Sequence, residues 1–109
     1  MYHNGDGVPL DYAEAVRWYR LAADQGYVNS QDALGRMYGL GEGVPRDYVL
    51  AYMWFNLAAA QENGEDSQVS SVTSQDKRDM TAERMTREQI AEAQRLSREW
   101  LEAHPPDGD

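Results

Sequence analysis

Residues 37–61 read MYGLGEGVPRDYVLAYMWFNLAAAQ, and they repeat residues 1–25, which read MYHNGDGVPLDYAEAVRWYRLAADQ. At an offset of 36, the two segments share 14 identities in 25 positions. A period between about 20 and 50 residues is typical of repeat arrays, in which each unit buries its apolar face against its neighbours. The sequence therefore predicts a stack of similar units.

Each copy has a glycine-rich turn followed by an amphipathic helix. Gly41 and Gly43 favour a tight reversal, and Pro45 cannot continue a helix before it. Asp47 stands where an N-cap is expected. Apolar residues then recur at steps of three and four, the spacing of one helix face. They are Tyr48, Ala51, Trp54, Phe55 and Ala58 in the second copy, and Tyr12, Ala15, Trp18, Tyr19 and Ala22 in the first. Because residues 30–40 predict a shorter helix, each repeat is a helix pair.

The repeat fades after position 62, and two further helices are predicted. The first is a polar helix over 66–84, capped by Asp66. The second ends at His104 and begins with a capping-box pattern of Thr86 with Gln89. Opposite charges four residues apart on these helices predict weak surface ion pairs. These pairs are Glu83–Arg87, Arg84–Glu88, Arg95–Glu99 and Arg98–Glu102.

Composition limits the class of protein. The 109 residues, 41% of them hydrophobic, are enough for one small domain. A net charge of -9 disfavours nucleic acid as a partner, and the absence of cysteine excludes disulfides and thiol chemistry. No apolar run approaches the roughly 18 residues of a membrane span, so no membrane insertion is predicted. We expect a soluble chain of unknown compartment, cytoplasmic, or periplasmic if a signal segment is missing from it.

Few residues suggest catalysis or metal binding. The two histidines, His3 and His104, lie near opposite ends of the chain, which disfavours a shared metal site. Residues 4–7 (NGDG) resemble the start of a calcium loop, but the glutamate expected at the twelfth loop position is missing, so a turn is favoured. No G-x-S-x-G motif is present. The sequence predicts no enzyme activity, no metal and no cofactor.

The segment LGRMYGLGEGVPRDYVLAYMWFNLAAAQ, at 34–61, resembles the Sel-one-like repeat (SLR) family, which is related to the tetratricopeptide repeat. The most specific parts are Leu34-Gly35, the G-x-G-V-P-x-D-Y loop at 41–48, and the Ala58-Ala59 pair. Residues 85–100 resemble the helix that closes many bacterial arrays. The resemblance implies an all-α fold, a right-handed α/α solenoid of tetratricopeptide-like helix pairs with C-terminal capping helices. The predicted division is Sel-one-like repeats over 1–62 (an incomplete first copy at 1–25 and a second at about 26–62), a helical cap over 63–104 and a tail over 105–109.

By the same resemblance, the chain is a non-catalytic adaptor or scaffold. The first helices of the repeats would form a concave face that binds a partner protein or peptide. The residues predicted to contact the partner are Asn29, Asp32, Ala33 and Arg36, with Ser70 and Thr73 in the next helix. Asp32 and Arg36 are the foremost of these, and an ordinary solvated helix face is the alternative interpretation.

The aromatic residues lead to a second hypothesis. Tyr12, Trp18, Tyr48 and Trp54 occupy equivalent positions in the two copies, so packing between helices is favoured over a ligand cage. However, the first copy lacks most of its first helix, which would expose the apolar face around Tyr12, Trp18 and Tyr19. The alternative function is therefore a self-assembling structural element, a homodimer formed through this repeat.

Overall fold

The computed structural model describes residues 11–62 and 72–104, and these form five helices without any strand. The helices are α1 (Tyr12–Asp24), α2 (Val28–Leu40), α3 (Tyr48–Glu62), α4 (Ser74–Ala82) and α5 (Arg87–Ala103). The all-α prediction is confirmed, and α2 begins two residues before the predicted start at position 30. The division into repeats over 1–62 and a cap over 63–104 stays a prediction.

The core is built around α3. This helix packs against α2, α4 and α5, while α1 packs against α2. The buried core residues come mainly from α2 and α3 and include Leu34, Met37, Tyr38, Trp54, Phe55 and Leu57. Each of the first four helices thus packs against the next, as expected for a helical solenoid, and α5 returns to pack against α3.

Side-chain caps fix the starts of four helices, and the sequence predicted the caps at Asp47 and Thr86. The Asp11 carboxylate accepts a hydrogen bond from the backbone nitrogen of Glu14, and Asp47 accepts one from that of Leu50, each at 3.1 Å. Thr73 and Thr86 each form a complete capping box. Because these contacts satisfy backbone N–H groups that have no partner within the helix, the caps define where each helix begins.

The turn after α2 presses against α1. Gly41 adopts a left-handed conformation with φ of 76°, and its nitrogen donates to the carbonyl of Met37 at 2.8 Å. Gly43 also has a positive φ of 80°, and a Cβ placed there would lie 2.5 Å from the carbonyl oxygen of Tyr12. Only glycine satisfies both the turn and this contact.

Helix α2 also contacts α3 closely, through Gly35. A Cβ on this residue would lie 2.7 Å from Cδ1 and Cε1 of the Phe55 ring. A buried glutamine joins three helices nearby: the Gln31 side-chain amide donates to the carbonyl of Ala23 at 3.1 Å, and its oxygen accepts from Gln61 at 2.9 Å. Close packing and satisfied polar groups together fix the positions of α1, α2 and α3 relative to one another.

The predicted helix over 66–84 is wrong in its extent. Helix α4 begins at Ser74, because the capping box formed by Thr73 and Asp76 stops any helix from running through that point. It ends at Ala82, whereas Asp66, the predicted cap, lies outside the described residues.

This shorter helix changes the surface ion pairs. The predicted pairs Glu83–Arg87 and Arg84–Glu88 are wrong, because α4 ends before them and α5 begins only at Arg87. Arg95–Glu99 is confirmed at 2.6 Å, and Glu92 joins it at 2.6 Å. Hydrogen bonds to Glu92 and Glu99 raise the pKa of Arg95 above its usual value. Arg98 and Glu102 form no ion pair in the described structure.

Candidate functional site

A groove runs between α2 and α4, with α3 at its floor. Its volume is about 400 Å³, and side chains from α2, the α2–α3 turn, α3, α4 and the turn after α4 line it. We refer to it as the α2–α4 groove. It brings together residues that are up to 49 positions apart in sequence, from Gly35 to Arg84.

Four cations line the α2–α4 groove, and no carboxylate does. They are Arg36, Arg46, Lys77 and Arg84. Only Lys77 belongs to an ion pair among the described residues, with Asp32 at 2.8 Å. The Arg46 guanidinium lies 5.4 Å from the centre of the Tyr48 ring. The groove is therefore a locally positive surface on a chain whose net charge is -9.

The rest of the lining is mostly apolar. Gly39 keeps the α2 wall of the groove low, and the Phe55 ring of α3 lies against Gly35. Leu40 and Met80 line opposite sides of the groove, and both are more than half exposed. This arrangement can accept an apolar side chain between two sets of cations.

The predicted contact residues Arg36 and Asp32 differ in what they do. Arg36 lines the groove and is exposed. Asp32, one turn earlier, accepts hydrogen bonds from Lys77 at 2.8 Å and from Ser74 at 2.9 Å. Because these bonds join α2 to α4, Asp32 serves to hold the two walls of the groove together.

The other predicted contact residues are dispersed. Asn29 is exposed near the start of α2, and Thr73 caps α4. The prediction that Ala33 faces outward is wrong: α1 and α3 both cover α2, and Ala33 is buried. Ser70 lies outside the described residues.

The sequence did not single out four residues of the groove, namely Arg46, Lys77, Met80 and Arg84. Arg46 could have been noticed because it is a charged residue in the repeated turn, at the position where the first copy has the apolar Leu10. Arg84 was assigned to an ion pair with Glu88, which the break between α4 and α5 prevents. Lys77 and Met80 gave no signal, because only the packing of α4 places them opposite α2.

A second exposed surface lies on α1. We define the α1 face as Tyr12, Trp18, Tyr19 and Leu21, all exposed. Trp18 is 62% exposed and Leu21 56%, whereas their repeat equivalents Trp54 and Leu57 are 3% and 1% exposed. The prediction of a core position is therefore confirmed for Trp54 and wrong for Trp18, whereas the predicted exposure of the face around Tyr12, Trp18 and Tyr19 is confirmed. The reason is that α3 is surrounded by three helices, whereas α1 packs mainly against α2.

Little else in the described parts of the chain suggests a site. Over 11–62 and 72–104, no group of three or more acidic or histidine side chains is placed to hold a metal ion. Every buried side-chain nitrogen and oxygen in those ranges has a hydrogen-bond partner. None of the described helices combines the length and apolarity that crossing a bilayer requires.

Comparison with known proteins finds two kinds of similarity. A family profile described as Sel1 repeat matches residues 1–27 and 28–63, more than half of the chain. The crystal structure of a protective antigen present in uropathogenic Escherichia coli strains, which displays an SLR fold, superposes with a TM-score of 0.80 and 34% sequence identity. That match covers 95% of this chain and 21% of the antigen, so the chain spans about a fifth of that protein. No curated protein matches.

Proposed function

Because this chain belongs to the Sel1 repeat family, whose repeats are generally protein-interaction modules, we propose that it is a non-catalytic adaptor. It binds a partner protein or peptide through the concave helical face. The observation that carries the proposal is the α2–α4 groove, an open surface flanked by the first helix of the second repeat. Asn29 and Arg36, both exposed on α2, extend the contact surface.

The structure supports this use of the groove in two ways. Its walls are joined by the bonds from Asp32 to Ser74 and Lys77, so the surface is formed before a partner arrives. A preformed site loses less conformational entropy on binding. Its exposed Leu40 and Met80 also offer apolar area that a partner can bury.

Selection of displayed random peptides on the purified protein tests the proposal. We expect enriched peptides whose binding shifts the amide resonances of α2 and α4. Leu40→Ser should weaken their binding about fivefold, because it removes roughly 1 kcal/mol of apolar burial. The matched control is Leu101→Ser, which alters a similarly exposed leucine on α5 and should leave binding unchanged. The proposal fails if no peptide is enriched, or if both variants behave like the wild type.

The alternative is self-association through the α1 face, favoured by the exposure of Trp18 and Leu21. By repeat equivalence, Tyr19 corresponds to Phe55, which packs on Gly35 of α2. Tyr19 of one copy cannot pack in the same way on Gly35 of a second copy, because Phe55 of that second copy already covers the glycine. A homodimer would therefore pair α1 with α1 about a two-fold axis.

Light scattering over a concentration series tests the alternative. A homodimer should appear as the concentration rises, and Trp18→Ala should raise its dissociation constant by more than about tenfold, since a buried tryptophan is a typical hot spot. Leu101→Ser serves again as the control and should leave the dimer intact. A monomeric wild type at every concentration would exclude this alternative.

A further inference from the structure

The cations of the α2–α4 groove are segregated from the chain's abundant acids. Acidic residues outnumber basic ones by 19 to 10, yet four basic side chains and no acidic one line the groove. Within the described residues, Arg36, Arg46 and Arg84 make no ion pair. Like charges gathered at one place repel one another, and an anion bound between them relieves that repulsion. The groove is thus complementary to a negative ligand.

The shape and apolar lining narrow the chemistry of that ligand. Arginine presents a planar set of donors that binds a carboxylate through two hydrogen bonds. Leu40 and Met80 lie among the cations and favour an apolar group in the same ligand. A simple anion matches the arginine donors alone. A peptide with neighbouring acidic and apolar side chains matches both the arginine donors and the apolar lining.

We infer that the α2–α4 groove binds an acidic peptide segment that carries an apolar side chain beside its carboxylates. This inference rests on the proposed function and names the chemistry of its partner. Arg36 and Arg84 hold the carboxylates from opposite walls, and the apolar side chain lies between Leu40 and Met80. Arg46 adds positive charge at the end of the groove nearest the α2–α3 turn.

Extended polyanions such as nucleic acids fit less well. The groove is short, and a strand that ran beyond it would meet the surface of a chain with net charge -9. At physiological salt, charges are largely screened only beyond about 8 Å, so phosphates closer than that to acidic side chains would still be repelled. A short acidic peptide confines its charge to the groove.

The test compares two pairs of neutralised cations in the same library selection. Arg36→Gln with Arg84→Gln removes two groove cations, and Arg87→Gln with Arg98→Gln removes two exposed cations from α5. Both double variants have the same net charge. We expect peptides selected on the wild type to be rich in aspartate and glutamate next to an apolar residue. By fluorescence anisotropy, the groove variant should bind them about tenfold more weakly, and the α5 variant within about twofold of the wild type.

Other outcomes separate the inference from the proposed function. If selected peptides lack an acidic excess but still respond to Leu40→Ser, the groove binds peptides of another chemistry and the inference is wrong. If no peptide is enriched, both the inference and the proposed function are wrong. Two further probes are a single-stranded oligonucleotide and an anionic phospholipid vesicle. If either displaces the peptide from the wild type and does not bind the groove variant, the choice of a peptide is wrong.

Discussion

Replacing Gly35 with valine is expected to lower the free energy of unfolding by about 3 kcal/mol, the upper range for overpacking a core. Even the Cβ of the new side chain would lie 2.7 Å from two carbons of the Phe55 ring, and valine adds two methyl groups beyond it. The Phe55 ring is buried, so moving it aside would disturb the packing of the core around it. Urea unfolding followed by far-ultraviolet circular dichroism measures the loss.

Gly39→Ala is the matched control, one turn further along α2. A Cβ there would lie 3.7 Å from Cβ of Ala51, an ordinary van der Waals contact. Because alanine favours a helix by about 0.8–1 kcal/mol over glycine, this variant should be slightly more stable than the wild type. Adding Phe55→Leu to Gly35→Val should recover part of the lost stability by making room. Equal stabilities for the Gly35 and Gly39 variants would contradict the close α2–α3 contact.

Trp54→Ala should cost about 3–5 kcal/mol, the range for removing a large aromatic side chain from a core. Trp54 is almost wholly buried on α3, and its ring meets the edge of Trp100 at 6.1 Å between centroids. The variant therefore loses contacts with α5 as well as within the core. Such a loss is a large part of the roughly 5–15 kcal/mol that stabilises a small domain. Thermal and urea unfolding provide the measurement.

Trp18→Ala, the same substitution at the equivalent position of the first copy, is the control. The Trp18 side chain is mostly exposed, and its indole nitrogen donates only to Glu14 on the same helix, at 3.0 Å. Measured on dilute protein, where self-association is negligible, the variant should lose less than about 1 kcal/mol. If the two substitutions cost the same, α1 is packed as tightly as α3 and the α1 face is not an open surface.

Local signals in the sequence predicted most of the helices. The Asp47 cap and the Thr86–Gln89 capping box depend on neighbours within one turn, and the structure confirms both. The start of α4 was wrong because a polar segment offered Asp66 as an early cap, whereas the Thr73 capping box begins the helix.

The candidate groove was only partly predictable. Arg36 was predicted from the resemblance to the tetratricopeptide pattern, and it lines the groove. The outward placement of Ala33 failed, since α1 and α3 cover two sides of α2 and leave it a narrow exposed strip. Lys77, Met80 and Arg84 join the groove only through the way α4 packs on α3, which no periodicity within α4 specifies.

The sequence by itself determined the repeat, its turns and the apolar faces of its helices, because each of these arises from short-range geometry. The sequence left both a packed and an exposed Trp18 open, and the tertiary structure decided between them, since burial depends on how many helices surround the position. It also decided that three arginines and a lysine from distant segments share one groove. Long-range packing sets both outcomes.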